Sequence, residues 1–344
     1  MTFNKNKIGT SLLIALCAAA LPLSAMAAED SDAMKKAESM YARLSNKNQK
    51  QVAAQFREVI RTEPDNAKAH YRLGAVLASM DEYDTAILEC KQAVKLDAKA
   101  HIPHVILGQI YANQNKMNEA AKEFEQAVAL KDTSFRAWMD LGLVYAKLNK
   151  IDDAIRAYTK AGTLKDKDPM PHMNLGVLYD SKGDFKKAIE EGNVAAKLDN
   201  GRNDLILMNL GNVYADAKED DKAIDAYKNA LKINGANALT HCGLGWVYER
   251  KGDMAQAIKE QKTAMKLAPQ YPRPVYRYAA VLASQGKTKE AEMEYKRSLS
   301  LKAKDPMAIV EYSNFLKSQN REEEAKKLLQ SAQIAKEGNS KAGN

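Results

Sequence analysis

Histidine and cysteine are the residues best equipped for metal or nucleophilic chemistry, and here their spacing argues against both. His70, His104, His172 and His241 recur at multiples of about 34 residues. Side chains so spaced on stacked helices stand about 8–10 Å apart, whereas zinc draws its ligand nitrogens to about 2.0 Å. His101 and His104 are three residues apart, but Pro103 lies between them. Cys90 and Cys242 are far apart along the chain, and Cys17 lies in an N-terminal apolar run, so no disulfide framework is expected. No Ser/His/Asp set, glycine-rich phosphate loop or Cys-x-x-Cys occurs. Carboxylates are plentiful but fall on the polar faces of helices, where charge serves solvation. The expectation is a binding protein, not an enzyme, with no cofactor and no metal.

The elements that must carry any site follow from composition and repetition. The 344 residues include 28% charged and 45% hydrophobic residues, which excludes a disordered chain, a collagen-like chain and a multispan membrane protein. Lys and Arg outnumber Asp and Glu by 52 to 44 without forming a block, so nothing indicates a nucleic-acid partner. Lys5 and Lys7 precede an apolar run from Ile8 to Leu21, and Ala25-Met26-Ala27 follows. That layout predicts a cleavable signal peptide over 1–27, with export to a bacterial periplasm or beyond and no membrane span after cleavage.

Alanines recur at 86, 120, 154, 188, 223, 257, 291 and 325, every 34 residues apart from one step of 35. A large residue followed by a small one stands 13 and 12 residues before each: Leu73-Gly74, Leu107-Gly108, Leu141-Gly142, Leu175-Gly176, Leu210-Gly211, Leu244-Gly245, Tyr278-Ala279 and Tyr312-Ser313. Four residues after several of these alanines comes an aromatic, Phe124, Tyr158, Tyr227 or Tyr295. The spacings predict two helices per unit meeting at small residues, with glycine turns such as Lys182-Gly183-Asp184 between them. Prolines fall at unit junctions, as first-turn residues would. No stretch alternates with the period of a strand.

Trp138-x-x-Leu141-Gly142-x-x-Tyr145, then Ala154 and Tyr158, resembles the tetratricopeptide repeat. The resemblance implies an all-α, right-handed superhelical solenoid of helix-turn-helix units: 67–100, 101–134, 135–168, 169–203, 204–237, 238–271, 272–305 and 306–339. Residues 28–66 read as a degenerate capping repeat and 340–344 as a disordered tail. In this family the first helices line a concave groove, and the place holding four of the histidines is often Trp, so those histidines read as packing residues.

The resemblance also implies the groove. Its fifth place is an apolar stripe that includes Tyr71, Val105, Met139, Met173, Met208 and Tyr276. Its sixth, ninth and second places add Gln109, Asp140, Leu143, Asn174, Val177, Asn209, Asn212, Trp246, Arg273 and Arg277. The Asn residues resemble the asparagine ladder of the O-linked N-acetylglucosamine transferases. Asn212, Arg273 and Arg277 match part of a carboxylate clamp, which lacks its second Asn at Gly243 and its first Lys at Met208. The expected partner is a protein or extended peptide held by apolar contact and backbone hydrogen bonds, with Asp140, Asp180 and Asp216 favouring a basic client. The role implied is an envelope assembly or adaptor scaffold. The alternatives are a self-assembling structural solenoid or an accessory subunit of a secretion or glycosyl-transfer system. The 35-residue step, at Asp199–Asp204, and Gly192 in the place of an aromatic predict a weak joint between the fourth and fifth units.

Overall fold

The computed structural model describes residues 30–330. The predicted signal peptide, the end of the eighth repeat and the predicted tail lie outside them. The described chain is helical throughout, with no strand, and it divides into two compact units on either side of Ser181 and Lys182.

The first unit holds α1 (Asp32–Tyr41), α2 (Gln49–Thr62), α3 (Ala67–Ser79), α4 (Tyr83–Leu96), α5 (His101–Asn113), α6 (Met117–Leu130), α7 (Phe135–Lys147), α8 (Ile151–Leu164) and α9 (Pro169–Lys182), whose last residue opens the second unit. The second continues with α10 (Phe185–Asp199), α11 (Asp204–Asp216), α12 (Asp220–Ile233), α13 (Ala238–Arg250), α14 (Met254–Leu267), α15 (Pro272–Ser284), α16 (Thr288–Leu301), α17 (Pro306–Ser318) and α18, over 322–330. Within the units first helices pack on their own second helices, as α3 on α4 and α11 on α12, and second helices pack on the next first helix, as α4 on α5 and α12 on α13. The result is an all-α solenoid of helix-turn-helix repeats.

The glycine and the aromatic of the repeat are two halves of one contact. A Cβ added at Gly108, Gly142 or Gly211 would come within 2.7–2.8 Å of the rings of Phe124, Tyr158 and Tyr227. At Gly74 and Gly245 the same space is taken by Cys90 Sγ and Gln261 Nε2. The Gly is therefore the hole into which the second helix inserts its largest side chain, and filling it would overpack the hairpin by about 1–3 kcal/mol.

The turn between the two helices is equally regular. Asp81, Asn115, Asn149, Gly183, Lys218, Gly252, Gly286 and Asn320 all have positive φ, and each is the fifteenth residue of its repeat. This left-handed residue ends the first helix, and the next amide donates back across six residues, as Lys116 N does to Tyr111 O at 2.8 Å and Glu219 N to Tyr214 O at 2.8 Å. Glycine marks only three of these turns, which is why the sequence shows the device only there.

The predicted weak joint has a different structure. Gly192 is buried inside an intact helix, and Leu210 Cδ1 lies 2.8 Å from where its Cβ would be. The next repeat supplies the bulk that Gly192 lacks. The extra residue of the 35-residue step lengthens α10 to 15 residues. Asn200 then takes the left-handed conformation, and Asp199 Oδ2 accepts from the amides of Arg202 (2.7 Å) and Asn203 (2.5 Å). The connection is a closed, hydrogen-bonded turn.

The degenerate N-terminal segment forms the helix pair α1–α2. Lys35, Ser39 and Ala42 are exposed on it, at the places where Ala69, Leu73 and Val76 are buried one repeat later. A repeat with this polar front acts as a cap, since solenoid ends must meet water.

Candidate functional site

The recurring histidines are cross-helix staples. Nδ1 of His70, His104 and His241 lies 2.6, 2.7 and 2.5 Å from the carboxylates of Glu89, Glu123 and Glu260 on the paired second helices. Nε2 of His70 and His241 also contacts the carbonyls of Pro64 and Gly235 in the preceding turn. Trp138 does the same with its indole N–H, donating to Asp132 O at 2.7 Å. The place therefore selects a ring donor that closes the turn. No cluster of metal-ligating residues exists among the described residues.

The fifth-place stripe is largely packing. Tyr71, Val105, Met173, Met208, Cys242 and Tyr276 are all buried, because successive first helices of a unit pack against one another along this line. Met139 is half-buried, and Val310, in the last repeat, is exposed. Met139 and Met173 belong to the first unit and Met208 to the second. Within each unit, then, the methionines expected to line an open strip are buried or half-buried, with the polar places beside them.

In the first unit several of those polar places are paired within the chain, although Arg72 Nη1 is buried without a hydrogen-bond partner. Arg72 on α3 donates through Nε to Glu38 of α1 at 2.8 Å, and its guanidinium lies 4.5 Å from the Tyr41 ring centre. Lys68 reaches Asp30 at 2.7 Å. Further along, one oxygen of Asp140 accepts from Arg136 Nε and Gln109 Nε2, each at 2.8 Å. Burial pushes the Asp140 carboxyl above its usual range, against the pull of Arg136 and Gln109. A small cavity lies beside it, lined by Gln109, Leu143, Val144 and Phe124 among others. Asp140 is thus not an open acid for a basic client. Asn174 and Val177 are half-buried on α9.

In the second unit the same places carry a charged ladder. Trp246 of α13 has the guanidinium of Arg250 at 4.7 Å and that of Arg277 of α15 at 5.1 Å from its ring. Arg250 pairs with Asp220 at the start of α12, and Arg277 with Glu311 of α17 at 3.5 Å. The series Asp220–Arg250–Trp246–Arg277–Glu311 therefore runs across three repeats and into a fourth. Glu249, beside it, has a buried Oε2 without a hydrogen-bond partner. Burial pushes its carboxyl up to about 7, with Glu311 adding to the rise and Arg277 opposing it. Asn209 is half-buried and Asn212 is exposed, where it accepts from the Tyr227 hydroxyl at 2.7 Å.

Arg273 differs from the other arginines of this face. It is exposed on α15 one turn before Arg277, near Tyr271, Tyr276 and Cys242, and no carboxylate stands within ion-pair distance. Burial pushes the Cys242 thiol up to about 11 and the Tyr276 hydroxyl up to about 12, so both stay neutral and leave the guanidinium charge uncompensated.

Of the residues predicted for a groove, Asn212, Trp246, Arg273, Tyr276 and Arg277 gather on one face of the second unit. Sequence reasoning missed Asp220, Glu249, Arg250 and Glu311. The available signal was opposite charge one repeat apart at the same place: Glu38 and Arg72, like Arg277 and Glu311, are separated by 34 residues.

Family models described as TPR repeat match residues 108–149 and 211–252, and others described as tetratricopeptide repeat match 46–101, 135–168 and 238–271. Together these cover about half of the chain. No curated protein sequence matches it. Among solved structures it is similar to a tetratricopeptide repeat protein from Parabacteroides merdae, with a TM-score of 0.61 at 12% identity, covering 73% of this chain and 98% of that one. It is also similar to the APC/C hetero-tetramer Cut9–Hcn1, with a TM-score of 0.58 at 22% identity over 83% of this chain; the match spans 55% of that chain's length. Pseudomonas aeruginosa pilF matches with a TM-score of 0.53 at 17% identity, over 63% of this chain and 97% of that one. At these identities the likeness is one of fold.

Proposed function

Because the chain belongs to the tetratricopeptide repeat family, we propose that it is a scaffold that holds an extended protein segment on the first-helix face of its second unit. The observation that carries this reading is Arg273. Arg250 and Arg277 of the ladder are paired within the chain, so the uncompensated Arg273 is where, among the described residues of this face, a client gains most by bringing an anion. The client segment is therefore acidic, with a carboxylate at Arg273 and its backbone alongside Asn209 and Asn212. Asn serves any sequence, since it both donates and accepts.

The scaffold works outside the cytoplasm, in the cell envelope, as an assembly or adaptor factor. This part of the reading rests on the Lys-apolar-Ala-x-Ala pattern of residues 1–27. N-terminal sequencing of the protein recovered from the envelope fraction tests it: a start at Ala28 supports export, and an intact Met1 on soluble protein overturns it.

The client reading is tested by affinity capture from envelope extracts with the wild-type chain and Arg273→Ala. Replacing an exposed Arg leaves the helix content unchanged. Loss of a charge-assisted hydrogen bond lowers client affinity by about 1.5–3 kcal/mol, roughly 10- to 150-fold. Equal capture by both proteins would place the client elsewhere.

A further inference from the structure

The second helices of the repeats are amphipathic and carry acids beside their bases, but α2 of the capping pair and α14 each hold a single acid, and in α2 that acid, Glu58, pairs with Arg61 at the surface. Helices α4, α6, α8, α10, α12 and α16 each hold at least two carboxylates. Helix α14 holds one, Glu260, which is buried and committed to His241. Lys259, Lys262 and Lys266 are all exposed on it, and their spacing of three and four residues puts them on one helix face. None has a carboxylate within ion-pair distance. Lys262 instead leans on the Tyr278 ring at 5.4 Å.

The preceding second helix extends the pattern. Lys228 and Lys232 of α12 occupy the same repeat places as Lys262 and Lys266. Lys228 leans on Tyr248 at 6.0 Å, as Lys262 does on Tyr278, and Lys232 bonds Asn229. The first-turn acids of α12, Asp220 and Asp221, are taken by Arg250 and Lys251, which leaves Asp225 as the exposed acid of that helix outside an ion pair. Next to the lysine rows, at equivalent places, Ile233 and Leu267 are 44% and 40% exposed. Five lysines outside ion pairs, at matching places on the second helices of two consecutive repeats and edged by two apolar side chains, form a basic surface with hydrophobic tips.

We propose that this face of α12 and α14 docks on an anionic phospholipid bilayer. The argument is charge complementarity joined to apolar exposure. Clusters of four to eight basic residues bind acidic lipid surfaces through unspecific Coulomb attraction, and apolar side chains beside them enter the headgroup region. Lysine suits this target, because its ammonium is a compact point charge that needs no fixed acceptor geometry. Planar carboxylate recognition would favour arginine. No helix among the described residues is long and apolar enough to cross a membrane, and surface docking needs none. The surface is separate from the first-helix face proposed for the client, and either reading can fail without the other.

The test is co-sedimentation of the full chain with vesicles of phosphatidylglycerol and phosphatidylcholine, compared with phosphatidylcholine alone. The difference between the two cancels any apolar contribution from residues 1–27. Binding is expected to the anionic vesicles and to vanish in high salt. Lys259→Gln, Lys262→Gln and Lys266→Gln together should weaken it roughly a hundredfold, at about fivefold for each lysine. The matched triple variant Lys91→Gln, Lys95→Gln and Lys99→Gln, with the same change in net charge, should leave it within about threefold. Ile233→Ser with Leu267→Ser should weaken it about tenfold. Circular dichroism of every variant should match the wild type, since all eight positions face solvent. The assignment is overturned by equal binding to neutral and anionic vesicles, by equal losses in the two lysine triples, or by binding to polyglutamate with none to vesicles.

Discussion

The first-helix faces of the two units solve the same packing problem and end in opposite electrostatic states. In the first unit, Arg72, Lys68 and Arg136 are each matched to an acid of the chain itself: Glu38, Asp30 and Asp140. In the second, the ladder through Trp246 pairs Arg250 and Arg277 and leaves Arg273 open. A charge neutralised internally contributes to stability, whereas an exposed charge with no partner contributes little to stability and is available for recognition. The fold therefore separates the two uses of arginine into two regions.

The sharpest way to break this contrast is Arg72→Ala. The Arg72 side chain is 7% exposed, so its removal takes from half-buried Glu38 its closest partner and leaves it only Lys68 at 3.7 Å, at a cost of about 3 kcal/mol in chemical denaturation. The double change Glu38→Gln with Arg72→Met should cost far less, because it leaves no unpaired charge. A loss under about 1 kcal/mol for Arg72→Ala would show that the first face is not structural.

Glu249 comes next. Its folded value of about 7 lies above the ordinary 4.5, so the folded state holds the proton more tightly. Between those two values the folded chain binds more protons than the unfolded one, and stability falls as pH rises through that window. Glu249→Gln should remove this slope and gain on the order of 2 kcal/mol relative to wild type above pH 7. Parallel pH–stability curves for the two proteins would refute the burial argument.

His241 gives a slope of the same sign from the opposite cause, a favourable contact of the charged form instead of a burial penalty on it. Its hydrogen bond to Glu260 raises its folded value above 6.5. The staple's contribution is then complete below the unfolded value and disappears as pH climbs through the folded one. His241→Gln should lower stability by about 1 kcal/mol at pH 5.5 and by much less at pH 8.5. An equal loss at both pH values would mean that the ring matters only for packing.

The smallest stability effect is expected from Arg273→Ala, within about 0.5 kcal/mol of wild type. A larger loss would mean that Arg273 is structural like Arg72, and the distinction between the faces would collapse.

The repeat was legible because four small or large residues per unit recur without a gap, and such periodicity follows directly from helix packing. The site was legible only in part. Trp246, Arg273 and Arg277 could be placed by repeat register, but register does not say which side chains bond to one another. Met173 and Met208 share their place with groove residues of the family, yet they are buried here because the neighbouring first helices approach closely along that line. Asp140 looked open because its partners, Arg136 and Gln109, stand 4 and 31 residues away, and the second of these distances matches no helical spacing. Gly192 looked like a defect because the residue that compensates it, Leu210, belongs to the following repeat.

That last contact bears on the exchange of modules. At Gly108, Gly142 and Gly211 the hole and the plug lie within one repeat, so such a repeat can be excised, duplicated or transplanted with its core complete. At Gly192 the plug is borrowed across the border. A chain lacking the fifth repeat would lose the side chain that fills the fourth, unless the incoming repeat also presents a leucine in that place. The solenoid is thus modular at several repeats and spliced where Leu210 fills the space at Gly192 and where the Tyr227 ring crowds Gly243 of the next repeat, and recombination that respects repeat boundaries would still be penalised there.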